Sequence, residues 1–178
     1  MTTSVADGAA AVPRRHAVTR REMTIEGHTL TDVVLAGWAY GPPLGTAPVT
    51  VVVGGITASP FPLGDGRGEA QGGVDPWWPA LFASDLIDVA RTTVVCPCWP
   101  GNGSTWRGFD EAPPALSVLG LADLVAAWLD GLDCHAPVTF VGASLGGMVG
   151  VAFATRHADR CRTLITISAG LRPDGWGT

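Results

Sequence analysis

Ten consecutive residues constrain this chain more than any others: Val138-Thr139-Phe140-Val141-Gly142-Ala143-Ser144-Leu145-Gly146-Gly147. The first four are apolar or β-branched and predict a short strand buried on both faces. From Leu145 to His157 the pattern predicts a helix. A serine between the two, at the centre of Gly-x-Ser-x-Gly, predicts a sharp strand-to-helix turn that lifts the hydroxyl above the end of a sheet. The residues two before and two after the serine must be tiny because the strand and helix backbones crowd there. Gly142 and Gly146 meet that need. At the start of the helix, the Leu145 N–H and the helix dipole are placed to stabilise a developing oxyanion. The bland alternative is a serine in an ordinary strand-to-helix turn. A dinucleotide site is disfavoured, because the segment lacks Gly-x-Gly-x-x-Gly spacing.

The rest of the chain predicts the sheet that such a turn requires. Met23 to Ile25 and Asp32 to Tyr40 read as strands joined through Gly27-His28. Val49 to Val53 and Thr92 to Cys96 read as buried strands, and Thr163 to Ile167 as the last one. Ser59 to Gly73 is a Gly- and Pro-rich loop, and Asp75 to Val89 has apolar residues at helix-like spacing. Ser117 to Leu132 is the clearest helix, with Val118, Leu121, Leu124, Val125, Trp128 and Leu129 on one stripe and Ser117 as cap. Gly120 inside it costs helix propensity. The β–α–β–α–β order after two opening strands predicts an α/β fold, an open and mostly parallel sheet with helices on both faces.

With 178 residues the chain is one domain, long enough to bury about 70% of its unfolded surface. Hydrophobic residues make up 47% and charged residues only 15%, which excludes an intrinsically disordered chain. A net charge of −5, with every basic residue Arg and none Lys, argues against a nucleic-acid partner. There is no uninterrupted run of about 18 apolar residues to cross a membrane. Residues 1–21 are expected to be a flexible lead. Its Arg14-Arg15 and Arg20-Arg21 pairs lack the apolar stretch of an export signal, so a cytoplasmic location is expected. Cys96 and Cys98 fall near the end of one strand, whereas Cys134 and Cys161 precede two others at the opposite edge of the sheet. One metal ion cannot bridge that span, so buried free thiols and no metal are expected.

A second oxyanion donor should come from the loop after the third strand, Gly54-Gly55-Ile56-Thr57-Ala58, with Ile56 as the N–H donor. Here the residues resemble a family. Val51-Val52-Val53-Gly54-Gly55-Ile56-Thr57-Ala58, the Trp77-Trp78 pair and Gly101-Asn102-Gly103-Ser104-Thr105 are similar to segments of homoserine O-acyltransferases of the α/β-hydrolase superfamily. So are Val141-Gly142-Ala143-Ser144-Leu145-Gly146-Gly147-Met148-Val149 and Ile167-Ser168-Ala169-Gly170-Leu171-Arg172-Pro173. The likeness runs from about residue 22 to 176 in order and with compatible spacing.

The resemblance implies an α/β-hydrolase-type sheet, truncated after about the sixth strand, with residues 22–178 as the N-terminal part of a catalytic domain. It implies Ser144 as nucleophile, taking an acetyl or succinyl group from acyl-coenzyme A as co-substrate, with no bound cofactor. The acyl group would pass to homoserine or a related hydroxyl-bearing amino acid. Ile56 and Leu145 N–H groups would form the oxyanion hole, and Gly55 and Thr57 would contact substrate. Trp77 and Trp78 are expected to pack at the mouth of the site.

The triad acid and histidine of that superfamily follow the serine in the chain. His157 lies at the far end of the helix that Ser144 begins, and His16, His28 and His135 precede the turn. Asp159 and Asp174 are no better placed as the acid. The last strand is apolar enough to need cover on both faces and a partner along its edge. The expectation is therefore a partial catalytic domain, completed by a missing C-terminal half or associated as a homodimer. A serine hydrolase and an inactive fragment or pseudoenzyme stay open as alternatives.

Overall fold

The computed structural model describes residues 12–67, 71–83, 86–100 and 115–170. Asn102, Ser104, Thr105 and Asp174 lie outside them. The elements in chain order are β1 (Arg14–Ile25), β2 (His28–Tyr40), β3 (Val49–Val53), α1 (Pro79–Ala83), β4 (Thr93–Pro97), α2 (Val118–Gly131), β5 (Val138–Ala143), α3 (Leu145–Arg156) and β6 (Cys161–Ile167). A single 3-10 turn, Ala158–Arg160, separates α3 from β6. The six strands form one sheet in the order β1-β2-β4-β3-β5-β6. β1 and β2 form an antiparallel hairpin, and β2 joins β4 antiparallel. β4, β3, β5 and β6 run parallel. This is the mostly parallel α/β sheet that the alternation of elements predicts.

Side chains alternate across the buried strands, so each face builds its own core. Val51, Val53, Val95, Phe140, Val33 and Leu35 point to the face covered by α2 and α3, whose Leu124, Val125, Trp128, Leu129, Val149 and Phe153 complete that core. Val52, Val94, Cys96, Val141 and Tyr40 point to the other face, where Trp77, Trp78, Leu81 and Phe82 of α1 and the turn before it pack. Cys96, Cys98 and Cys134 are buried free thiols, and Cys161 is only half-buried. The described helices include none long and apolar enough to cross a membrane.

Two boundaries differ from the sequence expectation. Residues 14–21 are no lead: they form two-thirds of β1, the outer strand of the hairpin. Val18 is the inward residue there, packed so tightly against α2 that a Cβ on Gly131 would lie 2.3 Å from Val18 Cγ1. Arg15 and Arg21 are exposed, as suits an edge strand, whereas Arg20, on the same face as Val18, reaches the Ala127 carbonyl of α2. The helix expected over 75–89 shrinks to the five residues of α1. Its apolar residues reach the sheet through turns, with Ile87 buried and its neighbour Leu86 75% exposed.

α2 begins as the sequence predicts. Ser117 Oγ accepts hydrogen bonds from Leu119 N at 3.1 Å and Gly120 N at 3.4 Å, satisfying two N–H groups that the helix itself cannot. Glu26, in the hairpin turn, completes the cap by accepting from Ser117 N at 2.9 Å and from Ser117 Oγ. This contact explains Gly120, since a Cβ there would lie 2.6 Å from the Glu26 carboxylate. Ser117→Ala removes both the cap and the hairpin's link to α2. It is expected to cost about 1–2 kcal/mol in denaturant unfolding, with an unchanged slope.

β6 closes the described sheet on the side opposite the hairpin. It pairs only with β5, and Ile165 and Ile167 are 46% and 43% exposed. Among the described residues nothing covers them, which matches the expectation of an apolar last strand in need of cover.

Candidate active site

The turn between β5 and α3 puts Ser144 at φ 53° and ψ −122°, a strained conformation for a residue with a side chain. Such a residue costs about 1–3 kcal/mol and persists only where its surroundings over-determine it. Here they do. Ser144 N donates to the Ile167 carbonyl at 2.9 Å, and Gly147 N and Met148 N donate to the Ser144 carbonyl at 3.0 and 3.1 Å. A Cβ on Gly142 would lie 2.2 Å from the Gly146 carbonyl oxygen, and one on Gly146 would lie 2.4 Å from that of Val53. The crowding that requires glycine at both positions is therefore physical. Ser144 is exposed, and its side chain makes no capping bond to α3. Its hydroxyl has no hydrogen-bond partner among the described residues and sits at the C-terminal edge of the parallel strands, where open α/β sheets hold their ligands.

The loop after β3 comes to the same place. Gly146 N donates to the Gly54 carbonyl at 3.0 Å, tying the loop to the first turn of α3. A Cβ on Gly55 would lie 3.5 Å from Ser144 Cβ and 3.7 Å from Ser144 Oγ, so Gly55 faces the serine across the width of one methyl group. A turn closed by Ala58 N to the Gly55 carbonyl, at 3.1 Å, carries Ile56 and Thr57 at its centre. Both are exposed, with the Ile56 side chain at 71%. Leu145 is the first residue of α3, where an N–H has no carbonyl partner inside the helix. Ser144, Leu145, Gly55, Ile56 and Thr57 thus belong to one surface, formed where β3, β5 and α3 meet.

The wall beside this loop is built by residues that the sequence alone did not single out. Tyr40, buried under the sheet, donates its hydroxyl to the Gly64 carbonyl at 2.7 Å. The buried Asp65 accepts from Arg67 N at 3.0 Å, from Arg67 Nε at 2.8 Å and from its terminal nitrogen at 2.6 Å. Burial pushes the Asp65 carboxyl up, but these hydrogen bonds outweigh it and hold the group below the usual aspartate value. The segment so pinned delivers Trp77 and Trp78, whose rings stack at 5.2 Å and 25°.

All four histidines of the sequence are described, and none can reach Ser144. His157 ends α3, and thirteen residues at 1.5 Å each separate it from Ser144 by about 20 Å. Its Nε2 is bonded to Asp123 Oδ1 at 2.9 Å, and its ring packs on Phe153. His135 precedes β5 at the opposite end of the strand, which alone separates Val138 from Ser144 by about 20 Å at ~3.3 Å per residue. Its ring lies 3.7 and 3.8 Å from Asp130 and Asp133. His16 is on β1, four strands and about 19 Å across the sheet from β5. His28 lies in the hairpin nine residues before Gly37, where β2 first pairs with β4, about 30 Å further along. Asp159 sits in the 3-10 turn beyond the far end of α3. The four histidines and Asp159 all lie away from Ser144.

Comparisons with known proteins agree with this geometry. A profile of the alpha/beta hydrolase fold matches residues 63–177, and the chain belongs to that family. Within it, the chain is homoserine O-acyltransferase-like in sequence over part of its length. It is 35% identical over 131 residues to a homoserine O-succinyltransferase of Xanthomonas campestris, spanning 71% of this chain and 32% of that protein. It is 31% identical over 157 residues to a homoserine O-acetyltransferase of Deinococcus radiodurans, spanning 84% of this chain and 42% of the relative. Among solved structures, the homoserine O-acetyltransferase of Bacillus anthracis superposes with a TM-score of 0.75 at 16% identity, over 92% of this chain and 48% of that one. Esterase E22 superposes at 0.68 with 14% identity, over 93% and 50%. The chain therefore spans about half the length of the solved structures it matches, and less than half of these curated relatives.

Proposed function

We propose that this chain carries the nucleophile half of an O-acyltransferase site that moves an acetyl or succinyl group from acyl-coenzyme A to the hydroxyl of homoserine or a related amino acid. The observation that carries the reading is Ser144, held in a strained turn at the tip of β5 with Gly55 against its hydroxyl. Ser144 Oγ attacks the thioester carbonyl carbon as its proton passes to a base. The C–S bond then breaks, and coenzyme A leaves as the thiol. The acceptor hydroxyl next attacks the acyl-serine, the ester bond to Ser144 breaks, and the serine regains its proton. The N–H groups of Leu145 and Ile56 stabilise both tetrahedral oxyanions, each donor contributing about 3–4 kcal/mol in such sites.

The four histidines of this sequence lie elsewhere, so none of them supplies that base. β6 leaves Ile165 and Ile167 exposed along an edge without a described partner, an apolar surface that a C-terminal half or a second copy of the chain would cover. Support for the acyl groups comes from the curated relatives, which are acetyl- and succinyltransferases of homoserine.

A second reading is a serine hydrolase, favoured by one observation: Ser144 is exposed, and no described residue shuts water away from it. Product analysis separates the two. With acetyl- or succinyl-coenzyme A, homoserine and imidazole as base, the transferase reading expects O-acylhomoserine that is lost in Ser144→Ala. Free acetate or succinate alone, equally dependent on Ser144, would establish the hydrolase instead.

A further inference from the structure

The loop of residues 54–59 is fastened at two points. Its first anchor is the bond from Gly146 N to the Gly54 carbonyl. The second is Trp77, whose indole Nε1 donates to the Ser59 carbonyl at 2.8 Å. The same indole ring lies on Gly54, where an added Cβ would meet Trp77 Cη2 and Cζ2 at 2.9 Å. One side chain therefore touches the loop at both its beginning and its end, while Gly55, Ile56 and Thr57 bridge the gap beside Ser144. Trp77 is in turn held from behind. It stacks on Trp78, whose backbone N–H donates to the Pro62 carbonyl at 3.1 Å, and the segment before it is held where Asp65 N donates to the Val74 carbonyl at 3.3 Å, beside the Tyr40–Gly64 bond. Ile56 and Thr57 are exposed, so no packing of their own side chains fixes the turn. The Ala58 N–H to Gly55 carbonyl bond shapes the turn from within, and its anchors at the two ends set how it lies against α3.

We infer that Trp77 is a positioning residue for the acyl-transfer site: its indole clamps loop 54–59 against Ser144. The inference rests on the acyl-transfer reading for its catalytic consequence, but the clamp itself does not. A donor left to move loses part of its preorganisation, and removing one such donor outright costs about 10²–10³ in rate. Trp77→Phe keeps an aromatic ring but removes the N–H and shortens the ring edge that lies on Gly54, so a partial loss is expected.

The test measures acetylation of Ser144 by p-nitrophenyl acetate with imidazole present, as a function of donor concentration, and amide hydrogen exchange of residues 54–59. Trp77→Phe is expected to lower the maximal acetylation rate roughly tenfold, with the half-saturating concentration and the unfolding midpoint close to wild type. Exchange across 54–59 should quicken while β3 and β5 stay protected. Wild-type rate and wild-type exchange in Trp77→Phe would overturn the inference. If wild-type protein shows no Ser144-dependent acetylation, the acyl-transfer reading fails, and exchange alone then decides the clamp. Should Trp77→Phe not fold, Trp77→Gln, which keeps an N–H donor and loses the ring, is judged by the same two measurements.

Discussion

Gly146→Ala is expected to lower the midpoint of thermal unfolding by roughly 10 °C and to abolish acylation of Ser144 in the protein that remains folded. Its added Cβ would lie 2.4 Å from the Val53 carbonyl and 2.6 Å from that of Gly54, both backbone atoms that cannot swing aside. The helix must then back away from β3, which breaks the bond from Gly146 N to the Gly54 carbonyl. Overpacking of this kind together with one lost hydrogen bond costs about 3–4 kcal/mol. The functional loss follows from the same displacement. Gly54 is where loop 54–59 is tied to α3, and the first turn of α3 carries Leu145, so the two donors proposed for the oxyanion, Ile56 and Leu145 N–H, shift relative to the serine together. A stability loss without loss of acylation would mean that the loop contributes nothing to the chemistry.

Acylation of Ser144 is expected to be slow without an added base and to rise with imidazole concentration by at least about tenfold. A positioned general base contributes about 10²–10⁴-fold, and this chain's histidines are occupied or remote, His157 by Asp123 and His135 by the far end of β5. The exposed hydroxyl gives free imidazole access to the place that a triad histidine would take. A serine without its base still profits from the oxyanion donors, which leave about 10³–10⁴-fold acceleration over water in comparable sites. Rates that ignore imidazole would point to a base already present, contradicting the placement of the four histidines.

The parts of the fold legible in the sequence are those with local causes. β3, β5 and α3 follow from apolar runs and glycines close in sequence, and α2 from its stripe and the Ser117 cap. What stayed hidden depends on contacts between distant residues. Nothing near Val18 reveals that it packs on Gly131, so the two arginine pairs made 14–21 look like a tail. Gly120 looked like a flaw in α2 because its reason, the Glu26 carboxylate, is about ninety residues away. The spacing of Trp77, Trp78, Leu81 and Phe82 suits a helix, yet the tryptophans are spent on each other and on the Ser59 carbonyl. At the site, Ser144 and the Gly54-Gly55 loop could be paired from sequence because each is a small-residue turn following a buried parallel strand. The clamp by Trp77 could not, since an indole beside a glycine-rich loop says nothing of which carbonyl it binds.

The most direct measurement is the intact mass of the folded protein after incubation with acetyl- and succinyl-coenzyme A in the presence of imidazole, followed by peptide mapping, with Ser144→Ala in parallel. The account predicts one acyl group per chain, mapped to Ser144 and absent from the variant. No adduct on folded wild-type protein, or the same adduct on Ser144→Ala, would contradict Ser144 as the nucleophile of an acyl-transfer site.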